Sequence, residues 1–201
     1  MAENRTEGAF AMDEMHGWSL VQIAGWYGRA AAIENTIAQV CGIRPPPEAG
    51  GVAVAGTISL IQVGAGRIWL LDEVGDVAAR MAGAVDDALG CVTPLGEGRR
   101  RFRLSGKRVP EVLQSLVALD PSSLSFAPGR AAFTMMHRVS VLLHRLASTT
   151  VDLYVPTTFS TSLEEWISEA VRLRDVGGDV VSAALQRRAA GLREADPTQS
   201  P

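Results

Sequence analysis

Hydrophobic side chains along this chain recur first with one period and then with another, and this alternation limits the possible folds more than any other feature. Four stretches carry a helical stripe. Residues 28–41 set Ala30, Ile33, Ile37 and Val40 on one face, and residues 76–89 do the same with Val77, Met81, Val85, Ala88 and Leu89. Residues 107–118 align Val109, Val112, Leu113, Leu116 and Val117. Pro110 falls in the first turn there, where its missing N–H would be unpaired anyway. The stripe over 161–173 is Leu163, Trp166, Ile167, Ala170 and Val171, opened by Thr161 and Glu164 at capping-box spacing.

Between these helices lie runs that read as strands: Ser19–Ala24, Thr57–Val63, Arg67–Leu71, Arg99–Leu104, Ala131–Met136, Val139–Arg145 and Val151–Val155. Gly64-Ala65-Gly66 joins the second and third, with glycines that supply the positive φ of a tight hairpin. His137-Arg138 closes a second hairpin onto 139–145. Pro45 through Gly51 is a loop. In order, the chain reads strand, helix, two strands, helix, then strand, helix, three strands, helix. The pattern predicts an α+β fold: one domain over 18–175, built of two similar lobes, 18–97 and 98–175. Residues 1–17 are polar and are expected to be flexible, and 176–201 to form a short helical extension with a disordered tail.

At 201 residues and 47% hydrophobic, the chain can bury a sizeable core. With 19 basic against 22 acidic residues the net charge is −3, which argues against a protein held to nucleic acid or anionic lipid by bulk charge. No run reaches the roughly 18 apolar residues of a membrane span. The acidic N-terminus lacks the pattern of a signal peptide, and Cys41 and Cys91 lack the spacing of a zinc site or a disulfide framework. These features predict a cytoplasmic protein, free of membrane and nucleic acid.

The search for chemistry yields little. Gly64-Ala65-Gly66 lacks the third glycine of a dinucleotide fingerprint, since Trp69 stands there. His16, His137 and His144 do not have the i, i+4 helical spacing of a metal pair. No serine or cysteine sits in a nucleophile elbow. Cys41 and Cys91 read as inert thiols, and Asp72-Glu73, Asp86-Asp87 and Glu164-Glu165 as surface pairs. The conspicuous charge feature is Arg99-Arg100-Arg101-Phe102-Arg103. In a strand, Arg99, Arg101 and Arg103 share one face, fit to meet a phosphate, RNA or an acidic protein, or to pair internally with Asp86, Asp87 or Glu111.

From residue 102 onward a longer pattern emerges. FRLSG (102–106) precedes a helix ending in ALD (118–120), then come FAPGR (126–130), VLLHR (141–145) and DLYVPTTFSTSLEEW (152–166). The last combines a strand exit, a proline stop, a helix cap and two aromatics, Phe159 and Trp166, that should be core. This series resembles the gamma subunit of heterotetrameric sarcosine oxidase, or of a paralogous complex acting on another N-alkyl amino acid. Lys107 stands where that family has a proline.

The resemblance implies a fold like the folate-binding domain of the glycine-cleavage aminomethyltransferase, and alpha, beta and delta subunits as partners. It places FAD, FMN and NAD in alpha and beta, zinc in delta and tetrahydrofolate on alpha, with no catalytic, cofactor or metal residue in this chain. On that reading the chain serves through its surface, and Arg99, Arg101 and Arg103 are its partner contact. Two rivals are a free-standing folate-dependent aminomethyltransferase and an RNA-binding module using the arginine stripe. Folate would need a placed carboxylate, and near the expected position only Glu97 is at hand.

Overall fold

The computed structural model describes residues 9–121 and 123–174. In chain order the elements are β1 (Ala11–Glu14), β2 (Ser19–Gly25), α1 (Ala30–Cys41), β3 (Val52–Ala55), β4 (Ile58–Gly64), β5 (Arg67–Asp72), α2 (Val77–Ala84), β6 (Gly90–Pro94) and β7 (Arg99–Ser105). There follow α3 (Val109–Leu116), β8 (Arg130–Met136), β9 (Val139–Ala147), β10 (Thr150–Pro156) and a helix over 160–174, α4. The strands form two five-stranded sheets, ordered β3-β4-β5-β2-β6 and β1-β7-β10-β9-β8, and neighbouring strands run antiparallel. This is an α+β fold, as the alternating periods predict.

In the first sheet the strands are apolar on both faces because both faces are covered. Val21, Ile23, Leu60, Ile68 and Leu70 pack with Ile33, Ile37 and Cys41 of α1 and Val77 and Met81 of α2. The alternate residues Leu20, Ile61, Trp69 and Leu71 turn the other way and meet Ala131, Leu142 and Tyr154 of the second sheet. Burying each such side chain contributes on the order of 1.5–3 kcal/mol, so the two-sided strands supply much of the driving force. Backbone also joins the sheets, since Gly51 bridges Arg130 and the Ala131 amide donates to the Gly50 carbonyl.

Three strands were not among those the sequence predicts. β1 lies inside the segment expected to be flexible, where it pairs with β7 from Ala11↔Ser105 to Glu14↔Phe102. Backbone pairing asks nothing of side-chain polarity, so an edge strand can be polar. β3 is a short run of small residues at the far edge of the first sheet, and β6 ends on Pro94 at the other edge, where a missing N–H costs no ladder bond. α2 stops at Ala84, short of the expected residue 89, because the Asp86 carboxylate accepts the Ala88 amide and turns the chain into β6.

Residues through Thr161 form one compact unit and those from Ser162 another. In α4, Leu163 and Ile167 are buried, while Trp166 is half-buried and Phe159 just before the helix is 44% exposed, so neither expected core aromatic is buried. α4 begins at residue 160, which places Thr161 inside its first turn and not at the cap. The expected 176–201 extension lies outside the described residues. Among those described, no helix is long and apolar enough to cross a membrane.

Candidate functional site

β7 runs inside the second sheet between β1 and β10, and its arginine-bearing face turns toward the first sheet. Arg99, Arg101 and Arg103 do share that face. Arg101 is buried on that face and Arg103 is 32% exposed, both engaged within the chain, while Arg99 is half-buried; for Arg101 this corrects the expectation of an exposed partner contact.

Arg101 is 1% exposed. Its Nε and Nη2 donate to Asp152 Oδ2 at 2.9 and 2.6 Å, and its Nη1 and Nη2 donate to Glu73 Oε2 and Oε1 at 2.9 and 2.7 Å. Arg103 donates through Nε to Asp152 Oδ1 at 2.7 Å and through Nη2 to Oδ2 at 2.9 Å. The register explains the pairing: Asp152 of β10 lies directly opposite Arg103 of β7, and Glu73 follows the end of β5 in the facing sheet. Burial pulls the Arg101 pKa down, and the bonds it donates to Glu73 and the charge of Asp152 more than offset it, leaving the guanidinium more firmly charged than usual. Two cations and two anions close on each other, which is how a protein tolerates charge in its interior. The internal partners are thus Glu73 and Asp152, not Asp86, Asp87 or Glu111.

Asp152 is wholly buried and accepts four N–H bonds from the two arginines. Both oxygens of this carboxylate are thus engaged by cations, three bonds falling on Oδ2 and one on Oδ1. His144 sits opposite it on β9, buried, and among the described residues its Nδ1 has no hydrogen-bond partner. Burial lowers its pKa and the two arginines lower it further, against the pull of Asp152, so the imidazole is neutral at pH 7. Tyr154 is also buried beside Arg101, and burial raises its pKa. Glu73, Arg101, Arg103 and His144 line a cleft of about 290 Å³.

Asp72 is not the surface acid the sequence suggests. Although burial opposes its ionisation, the amides of Val74, Val77 and Gly75 and the Thr57 hydroxyl outweigh that and hold its pKa below the ordinary value. It fixes the entry to α2 through Val77 N at 3.3 Å. Asp86 and Asp87 are exposed, as expected. Cys41 is buried, which pushes its thiol up to about 11 and leaves it inert near neutral pH. Among the described residues no group of His, Cys, Asp and Glu is placed to hold a metal ion.

Of the acids, Asp72 and Asp152 are buried and hydrogen-bonded, and Glu97 stands exposed in a turn where its carbonyl accepts from the Thr157 hydroxyl.

A larger cleft of about 500 Å³ opens where the loops at 15–18 and 95–98 cross between the sheets. Trp18, Leu20, Val21 and Val92 form apolar wall, Ala78 and Ala82 come from α2, and Glu14, His16, Glu97, Arg99 and Arg100 complete it. Glu14 pairs with Arg100 at 3.3 Å. Arg99 stacks on the Trp69 ring, its guanidinium 5.7 Å from the centroid.

The internal pairing of Arg101 and Arg103 was missed at the sequence level because a strand pattern reveals which residues share a face and not what covers it. One signal was present: Asp152 is an acid inside the apolar run Val151–Val155, and a strand buried on both faces tolerates an acid only with a partner.

No protein-family model matches the sequence, and no curated protein matches it. By structure, the chain is similar to a chain of heterotetrameric sarcosine oxidase from Corynebacterium sp. U-96, solved in complex with pyrrole 2-carboxylate, with a TM-score of 0.75 and 21% identity. That match covers 83% of this chain and 85% of the other. It is also similar to the glycine cleavage system aminomethyltransferase T from Bartonella henselae, with a TM-score of 0.58 and 12% identity, over 80% of this chain and 45% of that one. The chain therefore spans less than half of that transferase. At these identities the likeness establishes the fold, and the fold is the one the resemblance implies.

Proposed function

We propose that this chain is a non-catalytic, gamma-type subunit of a flavin-dependent, heterotetrameric sarcosine oxidase-like complex. The complex oxidises an N-methyl amino acid and passes the one-carbon unit to tetrahydrofolate. In this reading alpha, beta and delta subunits are its partners and carry FAD, FMN, NAD and zinc, with folate on alpha, in the cytoplasm. The observation that carries the proposal is the match in fold to one chain of a sarcosine oxidase, over 83% of this chain and 85% of that one. The likeness to the aminomethyltransferase is weaker, with a TM-score of 0.58 against 0.75.

The charged residues within the resembling segments support the same reading, since they hold the fold together. Asp152 and Arg103 close the buried cluster, and Arg145 donates to the carbonyls of Pro121, Phe126 and Ser148, tying the loop before β8 to the end of β9. Such residues are spent on structure and are not free for catalysis. Affinity purification of the full chain from its native host tests the proposal. A stoichiometric flavin-bearing partner with N-methyl amino acid oxidation is the expected result. Recovery as a lone monomer with no flavoprotein would overturn it.

A further inference from the structure

Of the three arginines on the covered face of β7, two are neutralised by carboxylates and one is not. Among the described residues no acid pairs with the side chain of Arg99, whose contact is the Trp69 ring. Burial alone lowers its pKa, the mark of a cation removed from water without a counter-charge. A half-buried unpaired guanidinium is an unfavourable arrangement that an anion would relieve. It also lies in the wall of the cleft of about 500 Å³, a volume within the range typical of small-molecule sites.

The rest of the cleft narrows the chemistry. Glu14 and Arg100 cancel each other at 3.3 Å, so neither dominates the field inside. Trp18, Leu20, Val21 and Val92, with the small residues Ala78 and Ala82, offer an apolar body site beside the cation. Glu97 stands at the same cleft, exposed in its turn. A planar guanidinium matches a carboxylate two bonds to two.

We propose that this cleft is a binding site for a small organic carboxylate, with the carboxylate on Arg99 and the apolar body against Trp18 and the alanines of α2. The site is independent of the subunit reading, because it requires no partner chain and no cofactor.

Benzoate is a suitable probe, with benzamide and benzylammonium as uncharged and cationic controls of the same shape. The full chain, labelled with ¹⁵N, is titrated and the amides of residues 14–18 and 96–100 are followed. The expected result is saturable shifts with benzoate at low-millimolar concentration, about the affinity a small ligand with one charged anchor can reach, and none with either control. Arg99→Met should weaken benzoate by about tenfold or more, the worth of a hydrogen-bonded charge pair. Ala82→Leu, on an exposed position of α2, should block the body site while leaving Arg99 in place, and it serves if Arg99→Met does not fold. The proposal is overturned by the absence of saturation up to about 20 mM benzoate, by equal shifts with benzamide, or by undiminished binding in both variants.

Discussion

Asp152 accepts four hydrogen bonds from two guanidinium groups and is wholly buried, so the cluster depends on its charge. Asp152→Asn keeps the shape and removes the counter-charge of Arg103 and one of the two that hold Arg101, since Glu73 remains. It should cost up to about 3 kcal/mol, the low end of the penalty for breaking a buried pair. Arg103→Met should cost clearly less, since that side chain is 32% exposed and water screens what is lost. Urea denaturation of both variants checks this, and equal losses would show that burial does not set the cost. His144 adds a pH dependence at the same scale. Its pKa falls on folding from an ordinary value of 6.5, burial being the main cause. A group depressed in this way contributes stability above its unfolded pKa, which is lost as pH falls below 6.5 toward the folded value. His144→Gln should flatten that part of the curve of melting temperature against pH, and a variant curve parallel to the wild type would refute the assignment.

Gly106, at the end of β7, illustrates how an element is held in register. Its φ is +115, and a Cβ there would lie 2.5 Å from the Ala9 carbonyl oxygen, just before β1 begins. Gly106→Ala should therefore strain the turn and push β1 off the sheet edge, with a loss of about 1–2 kcal/mol from the backbone alone. Hydrogen exchange offers a local readout: the amides of Ala11–Glu14 should lose protection before those of β10. Uniform loss across the sheet would mean that β1 is not the element Gly106 secures. The same element is where reading the sequence fell short, because AMDE has no apolar alternation and its strand exists through pairing with β7.

At the scale of the molecule, two lobes meet with an apolar centre around Trp69, Leu142 and Tyr154, and the ion cluster lies where Glu73 of the first lobe meets Arg101 of the second. Charge reversal of Arg101 would place an acid among Glu73 and Asp152. A substitution of all three arginines by glutamate is thus expected to unfold the chain, and Arg99 is the member of the stripe on which surface function can be tested. Folate binding belongs to this scale too. With both buried acids consumed, calorimetric titration with tetrahydrofolate should give no affinity tighter than about millimolar, and micromolar binding lost on Glu97→Gln would restore the transferase reading.

Local spacing was enough to predict the helices, the central strands and both hairpins, because each depends on residues within a few positions of one another: the stripe of Ile33 and Ile37, the Gly66 turn at φ +63, the apolar runs of β5 and β10. It also led to the α+β class and to the shared face of Arg99, Arg101 and Arg103. What covers that face is a long-range matter. Arg101 meets Asp152 across 51 positions and Glu73 across 28, distances over which no periodicity carries information. Only the stacking of one sheet on the other decided that Arg101 is buried and Arg103 half-buried, both paired, while Arg99 meets no acid among the described residues.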